Sequence, residues 1–231
     1  KAVFCPSSSS GLSAVSPAAC GYEIGNHSSL NTPTNYSFSC WISSSNASAQ
    51  TSNRYLFAIG AQPGAKHRGM YIEASTNKLV LTAQFNSADP VWKSNSAIDL
   101  SLGDHHIGAS IATATDTFTP VVYVDNAVVA GALTANALGT LETPTEQSSL
   151  LCGRKAGGGI ATSTQFYSGS AAEMSYWNTN LNASQVGEIY SQGGANQLPG
   201  PQDLANHSAY SNLVSWWRMG DGPGDGPRDQ S

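Results

Sequence analysis

Two adjacent histidines, His105 and His106, are the first residues of this chain that could do chemistry. Neighbouring residues of a β-strand point to opposite faces of the sheet, so the two imidazoles cannot bind one metal ion together. The sequence also lacks the Gly-x-Ser-x-Gly segment that presents a catalytic serine on a turn between strand and helix. We therefore predict a structural pair, with one imidazole packed inside the protein and the other at its surface.

Three aspartates near the end of the chain, Asp221, Asp225 and Asp229, are separated by Gly and Pro residues. Calcium binds oxygen ligands on flexible loops, so these carboxylates are the candidate metal ligands, and calcium is the one cofactor left open. Their spacing is not that of an EF-hand loop. The alternative is a solvated tail, which the Gly and Pro content favours.

Aromatic side chains offer the best binding chemistry in this sequence. Sugars present apolar C–H faces that lie against aromatic rings, while nearby polar groups fix their orientation. The candidate ligand-binding residues are Trp92, in a predicted loop at 89–96, and Trp41, on the otherwise polar face of its strand. The three other tryptophans lie in predicted strands. The alternative is that all five are core or interface residues.

The four cysteines, Cys5, Cys20, Cys40 and Cys152, show neither a Cys-x-x-Cys pair nor a metal-site spacing with histidine. Cys5 and Cys20 could close a disulfide loop across a segment rich in Ser and Pro. Cys40 and Cys152 are predicted to be buried small hydrophobic residues. Four cysteines allow three pairings, and the sequence does not choose among them.

The charge of the chain excludes several classes of partner. Charged residues make up 11% of the sequence, the net charge is −5, and the ten Lys and Arg residues are scattered. Nucleic-acid binding requires clustered basic residues, so we do not expect it. No apolar run approaches the roughly 18 residues of a membrane span. The low charge and abundant small polar residues are typical of secreted modules and virion proteins.

The segment at 36–43 alternates with a period of two, which is typical of a half-buried strand. Its Tyr, Phe, Cys and Ile residues point one way, and its Ser residues and Trp41 point the other. An Asp125-Asn126 turn between two β-branched runs predicts a hairpin. Further strands are predicted at 2–5, 22–24, 55–59, 70–74, 79–85, 105–112, 120–124, 127–130, 150–154, 165–167, 171–177 and 213–219.

One segment has helical spacing. Asn182 is its predicted N-cap, and Gln185 is the reciprocal partner of a capping box. Apolar residues at 186, 189 and 190 form one face, and Gly193-Gly194 ends the helix. We expect this helix to plug one end of a sandwich.

Four groups of residues resemble, in order, the concanavalin A-like jelly rolls of the laminin G-like group. They are YEIGNHSSLNTPTNYSFSCWIS, LGDHHIGASI, VVYVDNAVV, and LLCGRKAGG with FYSGSAAEMSYWNTNLNASQVGEIYSQGG, and together they span residues 22–194. The resemblance implies an all-β fold, a two-sheet antiparallel jelly-roll sandwich with one short helix. We assign residues 1–198 to this domain. Residues 199–231 form a C-terminal extension with one strand at 213–219 and a Gly/Pro-rich tail.

The sequence departs from the group at chemically important positions. Asp104 replaces the usual Trp before the histidines, and Asn126 replaces a usual Gly. Only Glu173 remains of an acidic pair, which weakens any calcium site in the rim loops. Some proteins of this fold are glucanases, whose catalytic strand carries carboxylates at i, i+2 and i+4. No glutamate here belongs to such a run, so we expect no enzymatic activity.

The C-terminal segment PQDLANHSAYSNLVSWWRMGDG resembles one that follows this domain in structural proteins of marine phages. This implies a virion structural or surface-display module, in capsid decoration, a fibre or an attachment protein. Its expected partners are other virion proteins or further copies of itself, with host-surface glycans in addition, and its expected location is the virion surface or the extracellular space. The alternative is a secreted carbohydrate-binding module attached to a degradative enzyme. The strand LVSWWRM is the predicted cover of Trp41.

Overall fold

The computed structural model describes residues 3–5, 22–23, 34–43, 52–60, 68–100, 103–134, 138–143, 149–152, 167, 169–193 and 204–217. The strands are β1 (Val3–Cys5), β2 (Tyr22–Glu23), β3 (Asn35–Ser43), β4 (Arg54–Ile59), β5 (Arg68–Ile72), β6 (Leu79–Ala83), β7 (Val91–Ser94), β8 (Asp104–Ala114), β9 (Thr117–Val124), β10 (Ala127–Val129), β11 (Gly131–Thr134), β12 (Ser149–Leu151), β13 (Gly169–Trp177) and β14 (Leu213–Trp217). The helices are α1 (Ala183–Gly193) and two single-turn 3-10 helices, Leu204–Asn206 and Tyr210–Asn212.

These strands form two antiparallel sheets, which confirms the predicted all-β sandwich with one short α-helix. Sheet 1 has the order β1-β13-β3-β8-β9-β10, and β14 also pairs with β13. Sheet 2 has the order β11-β7-β6-β5-β4-β12-β2. The C-terminal strand thus extends sheet 1 by pairing with β13 from Met174 to Trp177. Within the described ranges, no helix is both long and apolar enough to span a membrane.

The core between the two sheets is built from the alternating faces of their strands. Tyr36, Phe38, Cys40 and Ile42 all face this inter-sheet core, as the period of two predicts. The Phe38 ring stacks on Phe57 of β4 in the other sheet, with 4.3 Å between ring centroids. Burial of this apolar surface on both inner faces is what holds the two sheets together.

The inter-sheet core contains a buried arginine, Arg68. Arg68 enters it from β5 with 1% of its surface exposed, and its guanidinium carbon lies 5.7 Å from the centre of the Tyr36 ring. The Tyr36 and Tyr176 rings stack at 5.8 Å. Burial raises the pKa of Tyr36 to about 12, although the positive charge of Arg68 opposes the rise. Both hydroxyls therefore stay protonated over the physiological range.

The predicted structural cysteines are confirmed where the structure describes them. Cys40 and Cys152 are free and fully buried. Burial in apolar surroundings raises the pKa of the Cys40 thiol, so it does not form a reactive thiolate at neutral pH. Cys20 and the side chain of Cys5 lie outside the described residues, so a disulfide between them stays a prediction.

Two turns of the backbone follow from their residue types. Asp125 and Asn126 adopt φ angles of 49° and 64°, which a tight hairpin turn requires and Asp and Asn tolerate. Ala127 pairs with Val124, which confirms the predicted hairpin. Glu173 has a φ of 49° at a point where the pairing of β13 with β3 shifts register, so it forms a β-bulge.

Helix α1 begins at the predicted capping box but does not pack at the predicted place. The backbone N of Asn182 donates to Gln185 Oε1, and the backbone N of Gln185 donates to Asn182 Oδ1, both at 3.0 Å. This is the predicted capping box. The helix packs on the outer face of sheet 1, where Val186 approaches Gly108 of β8. The prediction that the helix plugs one end of the sandwich was wrong, because the apolar face of α1 packs on the apolar outer face of sheet 1.

We call α1 and residues 204–212, together with the outer face of sheet 1 that they cover, the helix layer. Its own apolar cluster is separate from the inter-sheet core. The buried members are Tyr123, Trp177, Leu181, Val186, Ile189, Leu204, Ala209 and Trp216. The sandwich therefore has two interiors, one between the sheets and one beneath the helix.

Candidate functional site

The groups with the greatest chemical potential lie in the helix layer. In the pairing of β3 with β8, Trp41 stands opposite His106 and Ser39 stands opposite Gly108. Ser39 Oγ lies 2.7 Å from His106 Nε2, and both residues are buried.

Trp41 is covered by the helix. Its ring stacks on Tyr190 of α1 with 5.7 Å between centroids and 10° between planes. The His106 ring lies 5.4 Å from Trp41 on the same outer face of sheet 1. Trp41 is consequently 0% exposed and presents no surface for a ligand in this state. The prediction that LVSWWRM covers it was wrong, because β14 pairs edge to edge with β13 instead.

Asp125, on the hairpin turn after β9, binds both histidines. Its Oδ1 accepts a hydrogen bond from the backbone N of His106 at 2.8 Å, and its Oδ2 lies 2.7 Å from Nδ1 of His105. His106 is fully buried, while His105 keeps part of its surface exposed. The prediction of one packed imidazole is confirmed for His106, whereas His105 is only partly exposed, with 16% of its side chain accessible. The sequence did not indicate that Asp125 joins the two histidines, although an Asp in a tight turn next to two histidines is a usable signal.

These residues do not form a catalytic triad. The Asp125 carboxylate contacts the backbone of His106 rather than its ring, and His106 Nδ1 has no hydrogen-bond partner. Burial lowers the pKa of His106 to about 4, and the nearby Asp125 charge only partly opposes this. A general base must reach the proton that it removes, and this imidazole lies under α1. The contact between Ser39 and His106 is therefore structural.

A second buried histidine ties residues 204–212 to the helix. His207 Nδ1 accepts a hydrogen bond from the backbone N of Ala209 at 3.0 Å, so Nε2 carries the ring proton and donates to the carbonyl of Gln185 at 2.9 Å. Glu188 Oε2 accepts from the backbone N of Ser208 at 2.8 Å, and this bond lowers the pKa of the carboxyl. The two short 3-10 helices are thereby anchored on α1.

Several carboxylates in the described part of the chain are engaged in structural bonds. Glu73 pairs with Lys93 at 2.7 Å, Asp116 accepts from the backbone N of Gly139 at 2.6 Å, and Glu173 accepts from Trp216 Nε1 at 2.6 Å. No group of three His, Cys, Asp or Glu residues within the described ranges could hold a metal ion. Asp221, Asp225 and Asp229 lie outside those ranges, so the calcium site stays a prediction.

Trp92 lies in a strand and not in a loop, so its predicted position was wrong. It belongs to β7 between β6 and β11, points into the inter-sheet core and is 5% exposed. Its ring fills the space beside Gly131, where an added Cβ would lie 2.2 Å from the indole. The loop was predicted because Asp89-Pro90 ends the preceding pattern, but the strand begins directly after the proline.

The surface carries a different aromatic group. Four large hydrophobic side chains are exposed in the described ranges, and Tyr210, with 49% of its surface exposed, is the one aromatic among them. It begins the 3-10 helix that ends at Asn212, whose Nδ2 donates to Asn178 Oδ1 at 3.0 Å. We call Tyr210, Asn178 and Asn212 the Tyr210 patch. It was not identified from the sequence, although a tyrosine followed directly by Ser and Asn is a signal of exposure.

The fold of this chain is similar to that of sugar-binding and laminin domains. The chain aligns with a proposed carbohydrate-binding protein from Bacteroides ovatus at a TM-score of 0.59 and 12% identity, over 91% of this chain and 53% of that one. It aligns with the CBM40 of the Ruminococcus gnavus IT-sialidase bound to α2,3-sialyllactose at 0.53 and 11%, over 74% and 96%. It aligns with the LG1–3 region of the laminin α2 chain at 0.50 and 12%, over 70% and 31%.

At such identities these alignments establish the fold alone, and they support the concanavalin A-like sandwich that the sequence predicts. This chain spans about half of the Bacteroides protein and about a third of the laminin region. No protein-family model and no curated protein sequence matches the chain.

Proposed function

We propose that this chain is a non-enzymatic, glycan-binding sandwich module displayed on a virion surface. The observation that carries the proposal is that Ser39 and His106, whose side chains are of types found in catalytic sites, are both buried. The contact between Ser39 and His106, which resembles a catalytic pair, is buried, and the Tyr190 ring of α1 lies 6.0 Å from the imidazole. A fold with sealed catalytic groups and an accessible surface suits binding better than turnover.

The absence of catalysis has a direct test. Glycoside hydrolysis requires two carboxylates on either side of the scissile bond. Glu173, the remaining carboxylate of the acidic pair, is buried and bonded to the indole of Trp216. We expect no release of reducing sugar from β-glucans by the purified chain, and clear turnover would contradict the proposal.

Glycan binding is supported by the similarity of the fold to sugar-binding proteins. Two of the aligned structures are described as carbohydrate binding or contain a bound sialyllactose, but this concerns those proteins. A glycan array probed with the purified chain, with and without chelator, tests binding and its dependence on calcium. Binding to a defined set of glycans is the expected result. A blank array on well-folded protein would leave assembly as the surviving function.

The virion role is supported by the low charge of the chain and by the resemblance of residues 201–222 to a segment of marine phage structural proteins. It predicts that the chain purifies with capsid or tail proteins as decoration, fibre or attachment component. Mass spectrometry of purified particles provides the measurement. Its absence from particles would contradict this part of the proposal.

The second candidate is a secreted carbohydrate-binding module attached to a degradative enzyme. The observation that favours it is the alignment over 96% of the Ruminococcus gnavus CBM40, a module named with its sialidase. The two candidates share glycan binding and differ in their neighbours. A hydrolase in the same polypeptide would favour the second candidate over the first.

A further inference from the structure

The Tyr210 patch combines the two chemical elements that a sugar-binding site requires. Tyr210 is half exposed, so part of an aromatic side chain meets water at this point of the surface. Asn212 ends the same 3-10 helix two residues later, and its amide is hydrogen-bonded to that of Asn178. An aromatic ring covers the apolar C–H face of a sugar, and amide groups bind its hydroxyls.

The patch is held rigidly by backbone hydrogen bonds. The N of Tyr210 donates to the carbonyl of His207 at 2.9 Å, and the N of Asn212 donates to the carbonyl of Ala209 at 2.8 Å. The N of Asn178, directly after β13, donates to the carbonyl of Asn212 at 2.9 Å. Because the backbone that carries these side chains is already ordered, a ligand does not have to order it on binding, which favours affinity.

The amide pair retains hydrogen-bonding capacity after its internal bond. Each Asn side chain has one oxygen acceptor and an NH2 group with two donors. The bond from Asn212 Nδ2 to Asn178 Oδ1 uses one donor of the first and one acceptor site of the second. The NH2 group of Asn178 and the oxygen of Asn212 can therefore meet two neighbouring hydroxyls, which both donate and accept.

The surroundings of the patch select against a charged sugar. Residues 177–187 and 204–217 contain no Lys, Arg, Asp or Glu. The next carboxylate along α1, Glu188, is bonded to the backbone N of Ser208. Within these two segments, no described residue offers a Lys or Arg side chain to a sialic acid carboxylate, which would lose hydration without compensation.

We infer that the Tyr210 patch is a binding site for an uncharged sugar, in which Tyr210 stacks on the ring and Asn178 and Asn212 bind adjacent hydroxyls. The inference rests on the proposed function and deepens it. It assigns binding to the outer surface of the helix layer and not to Trp41 or Trp92, whose rings are buried.

The test uses the full chain on an array of neutral and sialylated oligosaccharides, followed by titration calorimetry with the best neutral glycan and its sialylated counterpart. We expect the neutral glycan to bind more tightly. Tyr210→Ala should weaken binding at least about tenfold, which corresponds to about 1.4 kcal/mol. Tyr210→Phe should keep most of the affinity, since it keeps the ring, and Asn178→Ala and Asn212→Ala should each weaken binding several-fold.

Val128→Ala is the matched control, because Val128 is also exposed but lies on β10. It should bind as the parent chain does. The Tyr210, Asn178 and Val128 variants should melt as the parent does because these side chains are exposed, and the melting temperature of Asn212→Ala, whose side chain is half-buried, shows whether its loss of binding is local. If Tyr210→Ala binds a glycan with parental affinity, the site lies elsewhere and the proposed function stands. Preference for the sialylated glycan would overturn the assignment of an uncharged sugar. A blank array on well-folded protein would overturn both the site and the glycan-binding part of the proposed function.

Discussion

The two interiors of this protein each contain a buried basic side chain, but they hold it in different ways. In the inter-sheet core, the guanidinium of Arg68 lies over the Tyr36 ring, 5.7 Å from its centre. In the helix layer, the His106 imidazole contacts Ser39 through Nε2 and leaves Nδ1 without a hydrogen-bond partner. Because burial lowers the pKa of His106, the helix layer depends on an imidazole that is neutral at pH 7 and takes up a proton in acid.

The packing of the two interiors differs as well. The inter-sheet core lies between two sheets whose inner strands hydrogen-bond to neighbours on both sides. The helix layer is closed by a helix of 11 residues and two single-turn helices anchored through His207 and Glu188. A cover attached at few points can move to fill a cavity, and a sheet pair cannot do so as readily. The same truncation should therefore cost less beneath the helix.

Matched isoleucine truncations give the largest expected effect. Ile111 of β8 lies in the inter-sheet core and Ile189 of α1 lies in the helix layer, and both are fully buried. We expect Ile111→Ala to lower the free energy of unfolding by about 4 kcal/mol and Ile189→Ala by about 2 kcal/mol, since the helix can settle into the space. Urea denaturation of both variants measures the difference. Equal losses would show that the two interiors are equally rigid.

Acid should destabilise the helix layer through His106. Its pKa is about 4 in the folded protein and about 6.5 in an unfolded chain, so the unfolded state binds more protons between these values. Stability is then fully present above pH 6.5 and is lost as the pH falls towards 4, by about 3 kcal/mol in total. Denaturation midpoints at pH 7, 5.5 and 4 provide the measurement.

His106→Gln should remove most of this pH dependence, because glutamine can still bond Ser39 but does not titrate. His105→Gln is the matched control, since His105 is adjacent in sequence and partly exposed. It should retain most of the slope. If the slope survives in His106→Gln and disappears in His105→Gln, the assignment to the buried imidazole is wrong.

Substitution of two glycines, Gly131 and Gly108, allows a comparison of the space left in the two interiors. A Cβ at Gly131 would lie 2.2 Å from the Trp92 ring in the inter-sheet core, whereas one at Gly108 would lie 3.4 Å from Val186 of α1. We expect Gly131→Ala to cost about 2 kcal/mol by overpacking and Gly108→Ala less than about 0.5 kcal/mol. Thermal unfolding of the pair tests this. A larger loss at Gly108 would mean that the helix is held tightly against sheet 1.

The sequence predicts the features that depend on neighbouring residues along the chain. The alternation at 36–43 assigns the core face of β3, and Asp125-Asn126 marks the hairpin, because each signal is local. Trp92 was misplaced because its surroundings depend on β11, a short exposed strand with no alternation of its own. The burial of a residue in a sheet depends on its partners, and partners far along the chain leave no local pattern.

In the candidate site, too, the sequence predicts what depends on neighbouring residues and not what depends on residues far apart in the chain. Residue types identified the histidines as a structural pair, but Ser39 reaches His106 across 67 positions of sequence, and only the register of β3 with β8 brings them together. The Tyr210 patch likewise joins residues 34 positions apart. The strand LVSWWRM, and not the helix, was predicted from the sequence as the cover of Trp41. The contact between Trp41 and Tyr190 joins residues far apart in the chain, so no local pattern indicates it.

The capping box is the part of the helix layer that the sequence specified, and it provides the smallest expected effect. Asn182→Ala removes the acceptor for the backbone N of Gln185, which should cost about 1 kcal/mol. Gln185→Ala removes the reciprocal acceptor and should cost less, since its loss leaves an exposed N–H that water can bond. Val128→Ala, on an exposed edge strand, should leave the free energy of unfolding unchanged.

Because α1 covers Trp41, the loss of its cap should also weaken the near-ultraviolet circular dichroism of the tryptophans before global unfolding. A spectrum that changes only with global unfolding would mean that helix and sandwich unfold as one unit, so that the two interiors are not separable in stability.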